Sequence, residues 1–260
     1  MAKTIPQAVR EVCLGLPETE EVASHGMPDF RVRSKSFANF VVNQHGDGRV
    51  ALWLKYEPEA QERHVKADPE NFFVPPYVGT RGWLGVRVDR TLAWSRIADL
   101  VREAYDLAAP ADLRARAAKK PIRITAPTQA MSASDIDPLQ AVGPKRIVAA
   151  LGKLCLALPE TTAATQFGYP VWQVGRKTFA NIRFVANRLC ISCWAGAAQQ
   201  ALMGREPRFH VPPFLGAQGW LAVDVQDGVD WDEIRGLVLA SYRHYATKRA
   251  LKQLDAGSEG

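Results

Sequence analysis

The chain has 260 residues, 47% hydrophobic and 23% charged, with a net charge of +6, the make-up of a globular protein long enough for one large domain or two modest ones. No run of about 18 apolar residues occurs, and the N-terminus MAKTIPQAVREVCLGLP lacks an apolar core behind a basic head, so neither a membrane span nor a secretory leader is expected and a cytoplasmic location is.

In chain order, the first predicted element is a helix near residues 5 to 16. Thr4 is placed to cap it, Pro6 falls in the first turn where its missing N–H costs nothing, and Gln7 can close a capping box. LPE ends it. The alternating runs FRVRSKSFANFVV and RVALWLKY, bounded by turn residues, predict antiparallel hairpins. A polar helix around EPEAQERHVKA follows, and then FVPPYVGTRGWLGVRVD, residues 73–89. Its two prolines hold the chain extended, Gly79 permits a turn, and Gly82 allows close backbone approach. Tyr77 is then presented at the tip, and Trp83 enters a strand. A helix carrying Tyr105 closes the unit. Residues 110–144, rich in Pro, Ala and Ser and poor in periodicity, read as a basic linker, ordered in part at most.

The second half repeats the first. At a spacing of 142 residues CLGLPET matches CLALPET, Gly26 and Pro28 match Gly168 and Pro170, and KSFAN matches KTFAN. At a spacing of 137, VPPYVG matches VPPFLG, GWL matches GWL, Trp94 matches Trp231 and Tyr105 matches Tyr242. This is a tandem duplication. Hairpins are predicted in VWQVGRKTFANIRFV and RLCISCW, Phe214 at the tip of the second loop, Trp220 at the start of a strand, and one closing amphipathic helix through DWDEIRGLVLASYRHYATKRALKQL, capped by Asp230 and Glu233. The expected fold class is α+β, two tandem copies of an antiparallel-sheet module with helices on one face. The expected domains are a first module over 1–109, the linker over 110–144 and a second module over 145–260. Duplication also allows a pseudo-twofold pairing within one monomer, standing in for a dimer of single modules.

No catalytic constellation emerges. The five histidines form no H-x-H or H-E-x-x-H pair, and no G-x-S-x-G elbow exists. The ETEE cluster at Glu18–Glu21 becomes ETTA in the second copy, as a solvated helix end would allow. Cys13 and Cys155 suit buried helix positions, while Cys190 and Cys193, three apart on a strand, point to opposite faces and cannot share a metal. The loop glycines precede a strand rather than a helix, unlike a phosphate-cradling loop. Neither an enzyme nor a metal or other cofactor is expected.

The positive charge is uneven: net −1 over residues 1–108, +4 over 109–146 and +3 over 147–260. Arg31, Arg33 and Lys35 lie at alternate positions and are predicted to project from one face of a hairpin; Arg176 and Lys177 mark the equivalent turn. Arg81 in TRGW has Gln218 as its counterpart. Such a basic hairpin suits a phosphate backbone, with the linker cations Arg114, Arg116, Lys119, Lys120 and Arg123 adding nonspecific attraction. It also suits an ordinary solvent face. The loops themselves read either as rigid corners that close the sheet or as an aromatic cleft, built from Tyr77, Trp83, Phe214 and Trp220, for a protein or a small ligand.

The order LPE, G-x-P, K-[ST]-F-A, a strand ending near Lys55, and VPP-[YF]-x-G-x-x-GW before a closing helix with Tyr105 or Tyr242 resembles the MmcQ/YjbR family in tandem form. The resemblance spans nearly the whole of both halves. It implies a compact α+β module similar to a secretion-chaperone-like sheet, with paired hairpins described as a double wing and proposed to bind double-stranded DNA. The second copy departs from that pattern at Gln218 and in CISCWAG, which implies a module degenerate as a binder.

Overall fold

The computed structural model describes residues 2–119, 122 and 124–256. The chain divides into two units, Met1–Ile136 and Asp137–Gly260.

In the first unit, helix α1 (Ile5–Leu14) starts at Thr4, whose side chain accepts from the Gln7 N–H while Gln7 reaches back to the Thr4 N–H, and ends at Gly15. Six strands follow, β1 (Thr19–Ser24), β2 (Met27–Val32), β3 (Lys35–Val42), β4 (Val50–Leu54), β5 (Phe72–Phe73) and β6 (Leu84–Arg87), with α2 (Pro58–Ala67) between β4 and β5. They form one antiparallel sheet in the order β1-β2-β3-β4-β6-β5. Helices α3 (Trp94–Ala108), α4 (Ala111–Ala118) and the short α5 (Ala133–Ile136) complete the unit. Apolar residues recurring on one side of α1 and α3, among them Val9, Val12, Ile97, Val101 and Tyr105, pack on Phe30, Phe37, Leu52 and Leu84 of the sheet. A smaller cluster of Val41, Ala51, Trp53 and Phe73, joined by Met27, Val78 and Trp83, lies apart from that core.

The second unit repeats this strand for strand. After α6 (Val142–Leu156), the strands β7 (Thr161–Gln166), β8 (Tyr169–Val174), β9 (Lys177–Val185), β10 (Arg188–Trp194), β11 (Phe209–His210) and β12 (Trp220–Asp224) pair in the order β7-β8-β9-β10-β12-β11. Helix α7 (Ala197–Met203) precedes β11, and α8 (Trp231–Tyr245) and α9 (Lys248–Ala256) close the unit. Both sheets carry the same bulge, between Phe30 and Arg31 and between Trp172 and Gln173.

Three sequence expectations change. The ETEE cluster is not a helix end: Glu18 takes a left-handed conformation (φ 53), which turns the chain so that Thr19–Ser24 runs as an edge strand. The final helix is two helices, because Ala246 is extended (φ −66, ψ 146) and Thr247 accepts from the Ala250 N–H to start the second. The segment after Ala109 holds more structure than its composition predicts. Leu113 and Ala117 of α4 are fully buried, Ile122, Ile124 and Met131 pack on the same core, and the N–H groups of Thr128 and Gln129 both donate to the Lys3 carbonyl. Helix α4 begins 137 residues before α9, with buried Leu113 matching buried Ala250, so it is part of the repeat.

Candidate nucleic-acid interface

The β2–β3 hairpin turns on Arg33 and Ser34, both at positive φ (44 and 66), the backbone that suits a two-residue hairpin loop. In the second unit Gly175 (φ 60) and Arg176 occupy the turn. A turn of this kind reverses the chain between Val32 and Lys35, which pair directly, while Arg31 pairs with Ser36. Paired residues share a face and neighbours along a strand do not, so Arg31 and Lys35 lie on opposite faces of the sheet. The predicted single row of Arg31, Arg33 and Lys35 is therefore broken, because alternation does not carry through a turn.

The cations also differ in what surrounds them. Arg31 Nε donates to Asp29 Oδ2 at 2.7 Å, and Ser36 Oγ donates to the other oxygen of the same buried carboxylate at 2.5 Å. Arg33 bonds Glu18 at 3.0 Å and Asp112 at 3.4 Å, and Arg116 bonds Glu18 at 2.8 Å. The Arg33 guanidinium, then Arg116, holds the Glu18 carboxyl below the ordinary glutamate range. These two cations and two anions cancel. By contrast Lys35, Arg81, Arg176 and Lys177 are exposed, and no carboxylate among the described residues lies within ion-pair distance of them. Lys120 and Arg123 lie outside the described residues.

Topology places Lys35 and Arg81 at one end of the first sheet. Lys35 opens β3, whose Ala38 pairs with Leu54; Arg81 precedes β6, whose Leu84 also pairs with Leu54. Strands β3 and β6 flank β4, about 10 Å apart at a spacing of about 4.8 Å per strand, so the hairpin tip and the loop lie at the same end of the sheet. Lys55 continues β4 at the same end. In the second sheet that end carries Lys177 and the uncharged Gln218.

The loops between β5 and β6, and between β11 and β12, are built alike. Gln61 of α2 donates to the carbonyls of Gly79 and Trp83, and Gln200 of α7 donates to those of Gly216 at 2.8 Å and Trp220 at 2.6 Å. Gly82 and Gly219 take φ of 87 and 82, and a Cβ on Gly82 would meet the Pro58 nitrogen at 2.7 Å. Neither glutamine announces itself in the sequence, since QERH from Gln61 and QALM from Gln200 share only the one residue. Trp220 is buried and Trp83 half-buried, while Tyr77 and Phe214 stand out at 71% and 96% exposure. The four aromatic residues therefore split into two that support the loop and two at its tip. Tyr77 still hydrogen-bonds His45 at 2.5 Å; Phe214 has no hydroxyl with which to make the equivalent bond.

Burial raises the Cys190 thiol to about 11 and the Cys193 thiol to about 12, with the two on opposite faces of β10. They remain protonated at neutral pH. Among the described residues no group of three or more His, Cys, Asp or Glu is arranged to hold a metal ion, and no helix is long and apolar enough to cross a membrane.

The family model for YjbR matches residues 14–107 and again 156–244. The chain belongs to the YjbR family. Each YjbR match covers one of the two sheets, and both stop short of α4 and α9. A crystal structure of a Deinococcus radiodurans protein with a domain named DUF419 is similar at 25% identity over 45% of this chain and 89% of that one, with a TM-score of 0.36. Comparison with curated proteins finds no match.

Proposed function

We propose that this YjbR protein is a non-enzymatic binder of duplex DNA, whose hairpin tips and first loop set exposed cations against the phosphate backbone. The observation that carries this reading is the pairing state of the cations. Lys35 and Arg81 at one end of the first sheet, and Arg176 and Lys177 at the second hairpin turn, have no carboxylate partner among the described residues. Phosphate can replace their water without breaking an ion pair. Arg31 is held by Asp29 and supports the hairpin rather than the DNA, and Arg33 joins only by exchanging partners.

The test is a titration of the full chain with a labelled duplex at two salt concentrations. Affinity should fall steeply with salt, and Lys35→Ala with Arg81→Ala should lower the log–log slope by roughly 2, about one per lost phosphate contact. An unchanged slope overturns the reading. A second reading rests on the 96% exposure of Phe214: the aromatic loop tips seat a partner protein or small ligand. Its binding should be weakly salt dependent and lost on Phe214→Ala.

A further inference from the structure

Helices α1 and α3 and their counterparts α6 and α8 cover one face of each sheet. The two opposite faces differ in chemistry. In the first sheet that face is the apolar cluster of Val41, Ala51, Trp53 and Phe73. The pairing registers identify the corresponding residues of the second sheet. Trp53 pairs with Asn39 and Gly85, and Ser192 pairs with Asn181 and Ala222. Val41 pairs with Ala51, and Arg183 with Cys190. Phe73 pairs with Gly85, and His210 with Ala222. Tryptophan, valine and phenylalanine have become serine, arginine and histidine.

This replacement leaves polar atoms stranded. Asn181 Oδ1, Arg183 Nε, Ser192 Oγ and His210 Nε2 are all buried without a hydrogen-bond partner among the described residues. Asn181 is 6% exposed and Ser192 0%. Asn181, Ser192, Ala222 and His210 form one row across β9, β10, β12 and β11, and Arg183 stands two residues along β9 on the same face. Arg183 reaches the loop above with its Nη2, which donates to the Pro213 carbonyl at 3.3 Å, and keeps Nε free. The neighbouring carboxylate, Asp224, is already taken by Arg188 at 2.6 Å and by the Gln226 N–H at 2.9 Å. In the first sheet a Cβ at Gly85 would sit 2.5 Å from the Phe73 ring; the alanine at 222 has only the smaller His210 opposite. Buried polar groups in native proteins have partners, and four unpartnered ones on one sheet face call for hydrogen-bonding atoms that the described residues do not supply.

We infer that the second module binds a small oxyanion, the carboxylate or phosphate group of a small molecule, on the helix-free face of its sheet beneath the 211–218 loop. Arg183 supplies the charge, and Ser192 and His210 the further donors. The Asn181 amide oxygen accepts from a hydroxyl or amine beside the anionic group. The second module is thus specialised for a different ligand, and this site is independent of the DNA reading.

The probes are inorganic phosphate and citrate, with glycerol as a neutral control, titrated into the full chain by calorimetry. One of the two anions should bind at a single site and shift the backbone amide resonances of Ser192 and His210, while glycerol does neither. Arg183→Gln should weaken binding by at least about tenfold. The fourfold change Arg183→Val, Ser192→Trp, His210→Phe and Ala222→Gly, which installs the first sheet's residues together with the glycine that makes room for the phenylalanine ring, should abolish it. Saturation by phosphate alone or by citrate alone identifies the source of the oxyanion. Resonances of Ser192 and His210 that stay fixed under both anions, a measurement that needs no variant, overturn the assignment. So does binding that Arg183→Gln leaves intact.

Discussion

The Tyr105 hydroxyl donates to the Pro17 carbonyl at 2.8 Å, and its ring stands edge-on to Phe37 with centroids 5.6 Å apart. One side chain thus ties the closing helix to the LPE turn and to the K-x-F-A strand. Tyr242 repeats both contacts, with Pro159 at 2.8 Å and Phe179 at 5.4 Å. Tyr105→Phe should cost about 1 kcal/mol, the net worth of a hydrogen bond, and Phe37→Ala about 3–5 kcal/mol. Urea unfolding midpoints measure both, and equal costs would contradict the division.

Gln61 bridges two carbonyls of the loop it supports. Gln61→Leu leaves both without their donor and should loosen residues 74–83 before it unfolds the unit. Amide hydrogen exchange should rise there and stay unchanged in β2 and β3.

Gly82 and Gly26 both have positive φ, 87 and 76, but a Cβ meets Tyr56 and Pro58 backbone atoms at the first and nothing within 4 Å at the second. Gly26→Ala should therefore cost only the conformational term, about 1–2 kcal/mol, and Gly82→Ala clearly more. Thermal unfolding of the two variants side by side decides it.

Glu18 is held below its ordinary range by Arg33 and Arg116. A carboxylate whose folded value is depressed adds stability that is present above the unfolded value of about 4.3 and lost as pH falls through the folded one. Glu18→Gln should therefore be less stable than the parent at neutral pH and converge with it in acid. Because the network is exposed, high salt should shrink the gap at neutral pH.

Leu113 of α4 is fully buried. Leu113→Ala should destabilise the first unit by about 2–5 kcal/mol, whereas a residue of a free linker would tolerate the change within about 0.5 kcal/mol.

The sequence exposes the repeat, the capping box at Thr4, the hairpins and the rigid loops, because those depend on local spacing and on residues with narrow backbone roles. It hides whatever depends on partners brought from far along the chain. Asp29 reads as one more acid until β2 and β3 pair and place it between Arg31 and Ser36. Arg33 reads as a free cation until α4 delivers Asp112. Arg183, Ser192 and His210 are scattered over three strands, and only the register shows that they replace one apolar cluster. CISCWAG, a sign of decay when read as letters, is the strand that carries Ser192.

Since α4 and α9 match, the stretch of gene that was copied ran past the closing helix and took its neighbour along. The joint between the copies is correspondingly shorter than residues 110–144, and Thr128 and Gln129 within that range are fastened to the first copy at Lys3. A protease looking for a cut between the halves therefore meets a shorter target than the composition of residues 110–144 suggests.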